Sequence, residues 1–265
     1  MFPDQEVVNS ELVGFPEVWF DHLAYCVADP RDAFSLLRGS LGMQWELWEV
    51  NSEFGGVQVK FSNGLKLELI HPNSHDENHF TNRFVSKNKC GPHHLTFRVK
   101  DIQKFLAKAA ELAIPVIQVS LDNELWREFF IHPKEAEGLL IQVAECPVFK
   151  ASTPPAEWSE LSAVAPCNFF RIEHFFRNSE NVERIFCRLL GGTREELLGA
   201  PKKLTQFNVR FNEDRIIRFI NADDGQQPGH HSLVIGESVS ADIASAFVST
   251  LGGTLVVETL GGCTV

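Results

Sequence analysis

The chain has 265 residues, 44% of them apolar and 22% charged, with 24 basic against 35 acidic side chains and a formal net charge of −11. That is long for one compact domain, comfortable for two, and apolar enough to bury a core. The acidic balance argues against a nucleic-acid partner, which needs a basic face; Lys87, Lys89 and Lys134 read as solvated surface. No stretch approaches the ~20 apolar residues of a membrane span, and the acidic start MFPDQEVVNSE does not read as a secretory signal. Six scattered cysteines without a CxxC pair read as reduced thiols, so the expectation is a soluble, cytoplasmic protein.

In chain order, the first predicted element is the strand DHLAYCV from Asp21. Leu23, Tyr25 and Val27 alternate there with His22, Ala24 and Cys26. Helically spaced Ala33, Phe34, Leu36 and Leu37 follow, then short strands over 44–48, 57–61 and 65–70 separated by turn-formers such as Ser62-Asn63-Gly64. The same order then repeats. HHLTFRV from His93 alternates Leu95, Phe97 and Val99 with His94, Thr96 and Arg98; Ile102, Phe105, Leu106, Ala109 and Leu112 mark a helix; strands are expected over 115–119, 128–132 and 139–143. Each half reads strand-helix-strand-strand-strand. Neither can hide its edges alone, so the pair is the smallest sensible domain, spanning 18–146.

A Pro-rich segment, 147–166, reads as a linker. The pattern restarts over 167–265, where CNFFRIEHFF, VERIFCRLLGG, RIIRFIN and GHHSLVI match earlier blocks. This second domain reads as incomplete, because only GTLVVETLGGCTV remains after a helix over 242–251. Its exposed sheet edge would invite a second copy, a homodimer, or the first domain. The fold class expected is α+β: paired βαβββ units forming a cupped mixed sheet, with a shorter second domain of the same type.

The mixed strand faces carry the chemistry. His22 and Glu68 sit on the first and last strands of one unit, and His94 and Gln142 on those of the other, at separations of 46 and 48 residues. Each residue alone is more often structural. Two imidazoles, a carboxylate and an amide oxygen at equivalent places in a repeat suit a divalent cation. By alternation His93 falls on the apolar side, as a core or capping histidine, and His71 and His132, each before a proline, read as turn residues.

The blocks HLAYCVAD, FSNGLKLELIHP, FVSKNKCGPHHLTFRVKDI and FFIHPKEAEGLLIQVAE, in that order, resemble the vicinal oxygen chelate superfamily of glyoxalase, bleomycin-resistance and dioxygenase proteins. Within it they look most like methylmalonyl-CoA epimerases. The resemblance covers residues 20–146 and implies a divalent metal in the cup, its identity open among Co, Ni, Zn, Mn and Fe. It places His22, Glu68 and His94 at three ligand positions and Gln142 at the fourth, where the epimerases carry Glu. A neutral amide ligates weakly or touches substrate, and it accepts no proton. Glu53 falls near the family's other acid and is the candidate base. The implied activity is epimerisation through a metal-stabilised enediolate on an acyl-CoA. A glyoxalase I-type lyase acting on a glutathione adduct comes next, then oxygenation at Fe(II). The alternative of another class is a non-catalytic small-molecule binding protein. In the second domain the same spacing puts Arg171, Arg218 and His231 at the places of His22, Glu68 and His94: either a scaffold remnant or an anion pocket.

Overall fold

The computed structural model describes residues 7–8, 16–52, 54–197, 205–211, 215–223, 225–236 and 240–258. A two-residue strand, β1 (Val7–Val8), pairs with a later one and lies outside the two main sheets. The first main sheet is built from β2 (Val18–Cys26), β3 (Gln44–Val50), β4 (Phe54–Lys60), β5 (Lys66–Pro72), β6 (Gly91–Val99), β7 (Val116–Ser120), β8 (Arg127–Ile131) and β9 (Leu140–Glu145). Their lateral order is β3-β4-β5-β2-β6-β9-β8-β7. The central strands β2 and β6 are antiparallel, each with a parallel outer neighbour: β5 on β2, β9 on β6. The sheet therefore consists of two equivalent four-strand halves, as the repeated sequence blocks imply.

Alternation decides which residues go inside. Leu23, Tyr25, Leu95, Phe97, Ile141 and Val143 are at most 1% exposed and form one face; His22, His94, Thr96 and Gln142 project from the other. The Asp that closes each strand repeat has a local task. Asp29 caps a 3₁₀ turn, Pro30–Ala33, and Asp101 caps α2 (Ile102–Glu111), each accepting a backbone N–H with its carboxylate. The first crossover is not a regular α-helix: the turn runs into a π-helical stretch, Ser35–Ser40. Outside the expected units, α1 (Phe80–Asn88) sits between β5 and β6. Phe80 and Phe84, one turn apart on that helix, both pack on His93.

The connecting segment carries β10 (Val148–Phe149), the partner of β1, and a short helix, α3 (Ala156–Ser159). It is firmly packed. Trp158 is fully buried, with ring centroids 5.3 Å from Phe34 and 5.2 Å from Trp45. Gly42 has φ of 63°, and a Cβ there would lie 2.6 Å from the carbonyl oxygens of Val164 and Ala165, so only glycine fits beneath the segment.

The second sheet comprises β11 (Phe169–Phe176), β12 (Thr193–Glu196), β13 (Gln206–Arg210), β14 (Ile216–Asn221), β15 (Gly229–Gly236) and β16 (Thr254–Glu258), in the order β12-β13-β14-β11-β15-β16. Helix α4 (Ser179–Val182), its π-helical continuation Glu183–Leu189 and α5 (Ala241–Leu251) provide the crossovers. The plan is that of the first sheet, with one correction to the expected lack of a closing strand. β16 pairs parallel with β15, as β9 does with β6. A parallel return needs only a crossover of about a dozen residues, and α5 supplies it directly, where the first sheet interposes β7 and β8. The architecture is thus α+β with two mixed sheets of one repeated plan.

The buried side chains of both sheets form one continuous cluster. Phe97 lies 4.8 Å from Phe211, and Tyr25 lies 5.7 Å from Phe247. Glu137 adds a polar clamp between the first sheet's unit and the second's. Its carboxylate accepts the backbone N–H groups of Arg177 (2.8 Å) and Asn178 (3.1 Å) and the Asn181 amide (2.8 Å), capping the start of α4.

Candidate metal centre

His22, Glu68 and His94 come together as expected. One potential donor atom from each lies within 4.8 Å of the others. Glu68 Oε2 sits between the imidazoles, 3.3 Å from His22 Nε2 and 3.7 Å from His94 Nε2. The strands explain the meeting. Ala24 is flanked by Glu68 in β5 and His94 in β6, so a small residue at the middle of β2 lets longer neighbours converge over it. In β4, Gly56 leaves the same kind of room: a Cβ there would approach Glu68 Oε1 to 3.2 Å.

Both rings are oriented from behind. A β-bulge between Phe20 and His22 breaks the alternation of β2, and Asp21 Oδ2 lies 2.8 Å from His22 Nδ1. With Nδ1–H donated there, Nε2 points into the cup. Asp21 is itself held by Lys66 and Arg98. On the other side His93 Nδ1 is 2.8 Å from His94 Nδ1, so one of the two nitrogens donates. Donation from His94 leaves its Nε2 as a lone pair, and that atom is buried without a hydrogen-bond partner. His93 is therefore neither a core nor a capping residue. It lines the cavity and props its neighbour, a correction to the reading by alternation.

Gln142 reaches the same place through Thr96, whose hydroxyl donates to Gln142 Oε1 (2.6 Å) and lies 2.8 Å from His22 Nε2. The amide donates to Glu128 Oε2 at 2.6 Å, and Trp126 Nε1 donates to the same oxygen at 2.8 Å. Since Thr96 spends its only hydroxyl proton on Gln142, His22 Nε2 must present a proton to Thr96 and Glu68 when no cation is there. The electrostatics agree. Burial opposes charge on His22, but Glu68, with Asp21 behind, outweighs it and lifts the imidazole to about 9. Burial likewise opposes ionised Glu68, yet His22, then His94, hold it at about 2. His94 is pushed well below the usual histidine range by burial and by His93. The site thus offers a carboxylate, a neutral imidazole and a second imidazole carrying one displaceable proton. That donor set, with an orphaned His94 Nε2, fits a divalent cation.

A pH dependence follows. Below pH 9 an incoming cation must displace the His22 proton, so affinity should climb about tenfold per pH unit between pH 6 and 8 and flatten above 9. Calorimetry in buffers of different ionisation enthalpy should find about one proton released per ion. Affinity independent of pH would mean that His22 is not a ligand. Gln142→Glu is expected to tighten metal retention about tenfold, by adding a charged donor. It should also lower the melting temperature of the metal-free protein, because the Glu128 carboxylate loses its amide donor and faces a like charge. Unchanged retention in dialysis against a chelator would remove Gln142 from the ligand set.

The three donors open into a cavity of about 700 Å³. Its walls include two carboxylates that the sequence reading passed over, Glu49 of β3 and Glu128 of β8. Burial, and then the charge of Glu68, push Glu49 up to about 8. Neither residue has a repeat partner to advertise it, and only cup-facing placement brings them in. Glu53, the expected base, lies outside the described residues.

The second sheet holds no comparable donor set among its described residues. Arg171 donates to Glu173 and, bidentately, to Glu258; Arg218 donates to Asn208 and lies 3.8 Å from Glu173. Ser232 donates to Glu173 as well. These arginines are compensated by carboxylates of their own sheet. The register also corrects His231. Ser232 faces Glu173 as His94 faces Ala24, so Ser232 holds the position equivalent to His94; the His231 side chain lies outside the described residues. Val256 takes the register place of Gln142, and Glu258, two residues on, reaches Arg171.

Residues 21–126 match a family model described as Glyoxalase/Bleomycin resistance protein/Dioxygenase superfamily. No curated protein matches the chain. Among solved structures, the methylmalonyl-CoA epimerase of Mycobacterium tuberculosis is similar at 25% identity over 48% of this chain and 87% of that one, with a TM-score of 0.43. A substituted Streptomyces coelicolor methylmalonyl-CoA epimerase in complex with 2-nitronate-propionyl-CoA gives 23%, 48%, 96% and 0.42. A hypothetical protein from Bacillus halodurans C-125 gives 22%, 53%, 99% and 0.44. Among the described residues no helix is long and apolar enough to cross a membrane.

Proposed function

Starting from a first unit whose residues 21–126 match the glyoxalase, bleomycin-resistance and dioxygenase superfamily, we propose that this chain is a metal-dependent isomerase or lyase that moves a proton on a carbon next to a carbonyl. The observation that carries the reading is the placement of His22, Glu68 and His94 at the floor of a 700 Å³ cavity whose wall bears Glu49. A divalent cation held by those three residues would supply Lewis acidity to a carbonyl oxygen, making the neighbouring C–H more acidic.

The chain's own groups do the remaining work. The Glu49 carboxylate takes the proton while the C–H electron pair moves toward the carbonyl, and it returns the proton to the adjacent carbon, or to the same carbon once the planar intermediate presents its other face, which epimerisation requires. A carboxyl lifted to about 8 is matched to that two-way task near neutral pH. Asp21 and His93 keep the two imidazoles aimed. Trp126 fixes Glu128, and Glu128 fixes Gln142, so the amide holds a constant pose beside the reacting carbon. The resemblance names epimerisation of a methylmalonyl-type acyl-CoA and a glyoxalase-type lyase as specific activities, and the same proton transfer on an uncharged ketone is the third to test beside them.

Deuterium exchange in heavy water tests the proposal, using the metal-loaded protein with methylmalonyl-CoA, the methylglyoxal–glutathione hemithioacetal and benzoin. Exchange into at least one compound is expected, and Glu49→Gln should slow it by about 100-fold or more while leaving metal retention unchanged. Exchange into none, with metal tightly held, would contradict the proposal. It would favour the second reading, a protein that sequesters its ligand without turnover. One observation speaks for that reading: Gln142, with both ends of its amide engaged, stands where proton transfer would use an acid.

A further inference from the structure

Resting on the reading of this cup as the substrate site, we propose that it takes an uncharged, largely apolar small molecule rather than a carboxylated or phosphorylated one. The cavity lining supports this in three ways. Its ionisable side chains are carboxyls and imidazoles only: Glu49, Glu68 and Glu128 with His22, His79, His93 and His94, and no lysine or arginine among the described residues. Of the nearby cations on the same sheet, the partly buried Lys66 and the buried Arg98 are engaged by Asp21. Even with a divalent ion on the three donors, its two charges are matched by Glu68 and Glu128. No surplus positive charge is left to greet an anion, and a phosphate or second carboxylate would enter against like charge.

The rest of the wall is apolar and partly aromatic. Phe54 and Phe80 stand on one side, Trp126, Phe130 and Leu140 on the other. At the mouth, Val50 and Val119 line the cavity while keeping 47% and 48% of their surface exposed. Two branched aliphatic side chains held in water at a cavity entrance, one from β3 and one from β7, are covered when an apolar molecule enters between them. Among the lining residues Asn51, Gln118, Ser120 and Asn123 offer neutral hydrogen bonds from the rim. An oxygenated but uncharged guest satisfies this mixture, and a coenzyme A or glutathione conjugate does not.

A matched pair of fluorescent probes isolates the charge: N-phenyl-1-naphthylamine, and the same skeleton carrying a sulfonate, 8-anilinonaphthalene-1-sulfonate. Titrated into metal-loaded wild-type protein, the neutral probe should bind at least tenfold more tightly, and free coenzyme A at millimolar concentration should not displace it. Glu128→Gln should improve binding of the sulfonate probe relative to the neutral one by at least threefold. Equal or tighter binding of the sulfonate probe, displacement by coenzyme A, or failure of the neutral probe to bind would overturn the inference. Metal content is measured on the same samples. A retained ion with anionic preference therefore rejects the uncharged guest alone, whereas loss of the ion rejects the site reading itself.

Discussion

Glu68→Ala should abolish tight metal binding, weakening retention by about 100-fold or more, and should also destabilise the metal-free protein. The second effect arises because Glu68 is the charge that keeps a proton on buried His22. It also accepts the Gln58 amide at 3.0 Å. Removing one partner of a buried pair costs up to about 3–5 kcal/mol, and here His22 can relieve part of that by losing its proton. The pH dependence has a definite sign. His22 is raised to about 9 from 6.5, so its contribution is full below pH 6.5 and lost as pH rises through 9. Glu68 is lowered to about 2 from 4.5, so its contribution is full above pH 4.5 and lost as pH falls through 2. The substitution should therefore cost most at pH 5–6, about 2–4 kcal/mol, and least above pH 9. Denaturant unfolding of the chelator-treated variant at pH 6 and 9 measures this. An equal loss at both pH values would mean that the pair stores no charge-dependent stability.

Trp158→Ala should be about as damaging without touching the cup. The side chain is fully buried in a segment of four prolines that reads as a spacer, and it is wedged against Phe34 and Trp45 with the Arg38 guanidinium 5.7 Å from its ring. Deleting a buried indole costs about 3–5 kcal/mol. Its Nε1 has no hydrogen-bond partner among the described residues, so Trp158→Phe, which keeps most of the contact, should cost less than about 2 kcal/mol. Urea midpoints for the two variants provide the comparison. If alanine costs no more than phenylalanine, the segment is a loose tether and its packing contributes little.

What the sequence made legible, and what it hid, follows from periodicity. Strands that bury one face announce themselves by alternation, and the two His-Leu-x-aromatic-x-Val-x-Asp blocks did so twice. They located β2 and β6, and with them His22 and His94. Glu68 and Gln142 were legible because parallel pairing places them at matching distances from those strands. Residues whose role comes from the partner strand alone were not. Asp21 acts through a bulge that breaks alternation, and His93 faces the cavity although its neighbour does too. Glu49 and Glu128 sit in outer strands whose register no repeat reveals. Trp158 was hidden because proline-rich composition masks a single anchoring side chain. Arg171 and Arg218 were placed on the right strands, yet their partner Glu258 lies on β16, in a tail that seemed too short to close a sheet.

Equilibrium dialysis of chelator-treated protein against Zn²⁺, Co²⁺ and Mn²⁺ at pH 8, with the bound ion counted by mass spectrometry, tests the metal centre most directly. One ion per chain is expected for at least one of the three metals, lost in Glu68→Ala and in His94→Ala while both variants remain folded by circular dichroism. Binding below one-tenth of an ion per chain for all three metals, or stoichiometric binding that survives both substitutions, would contradict a centre built from His22, Glu68 and His94.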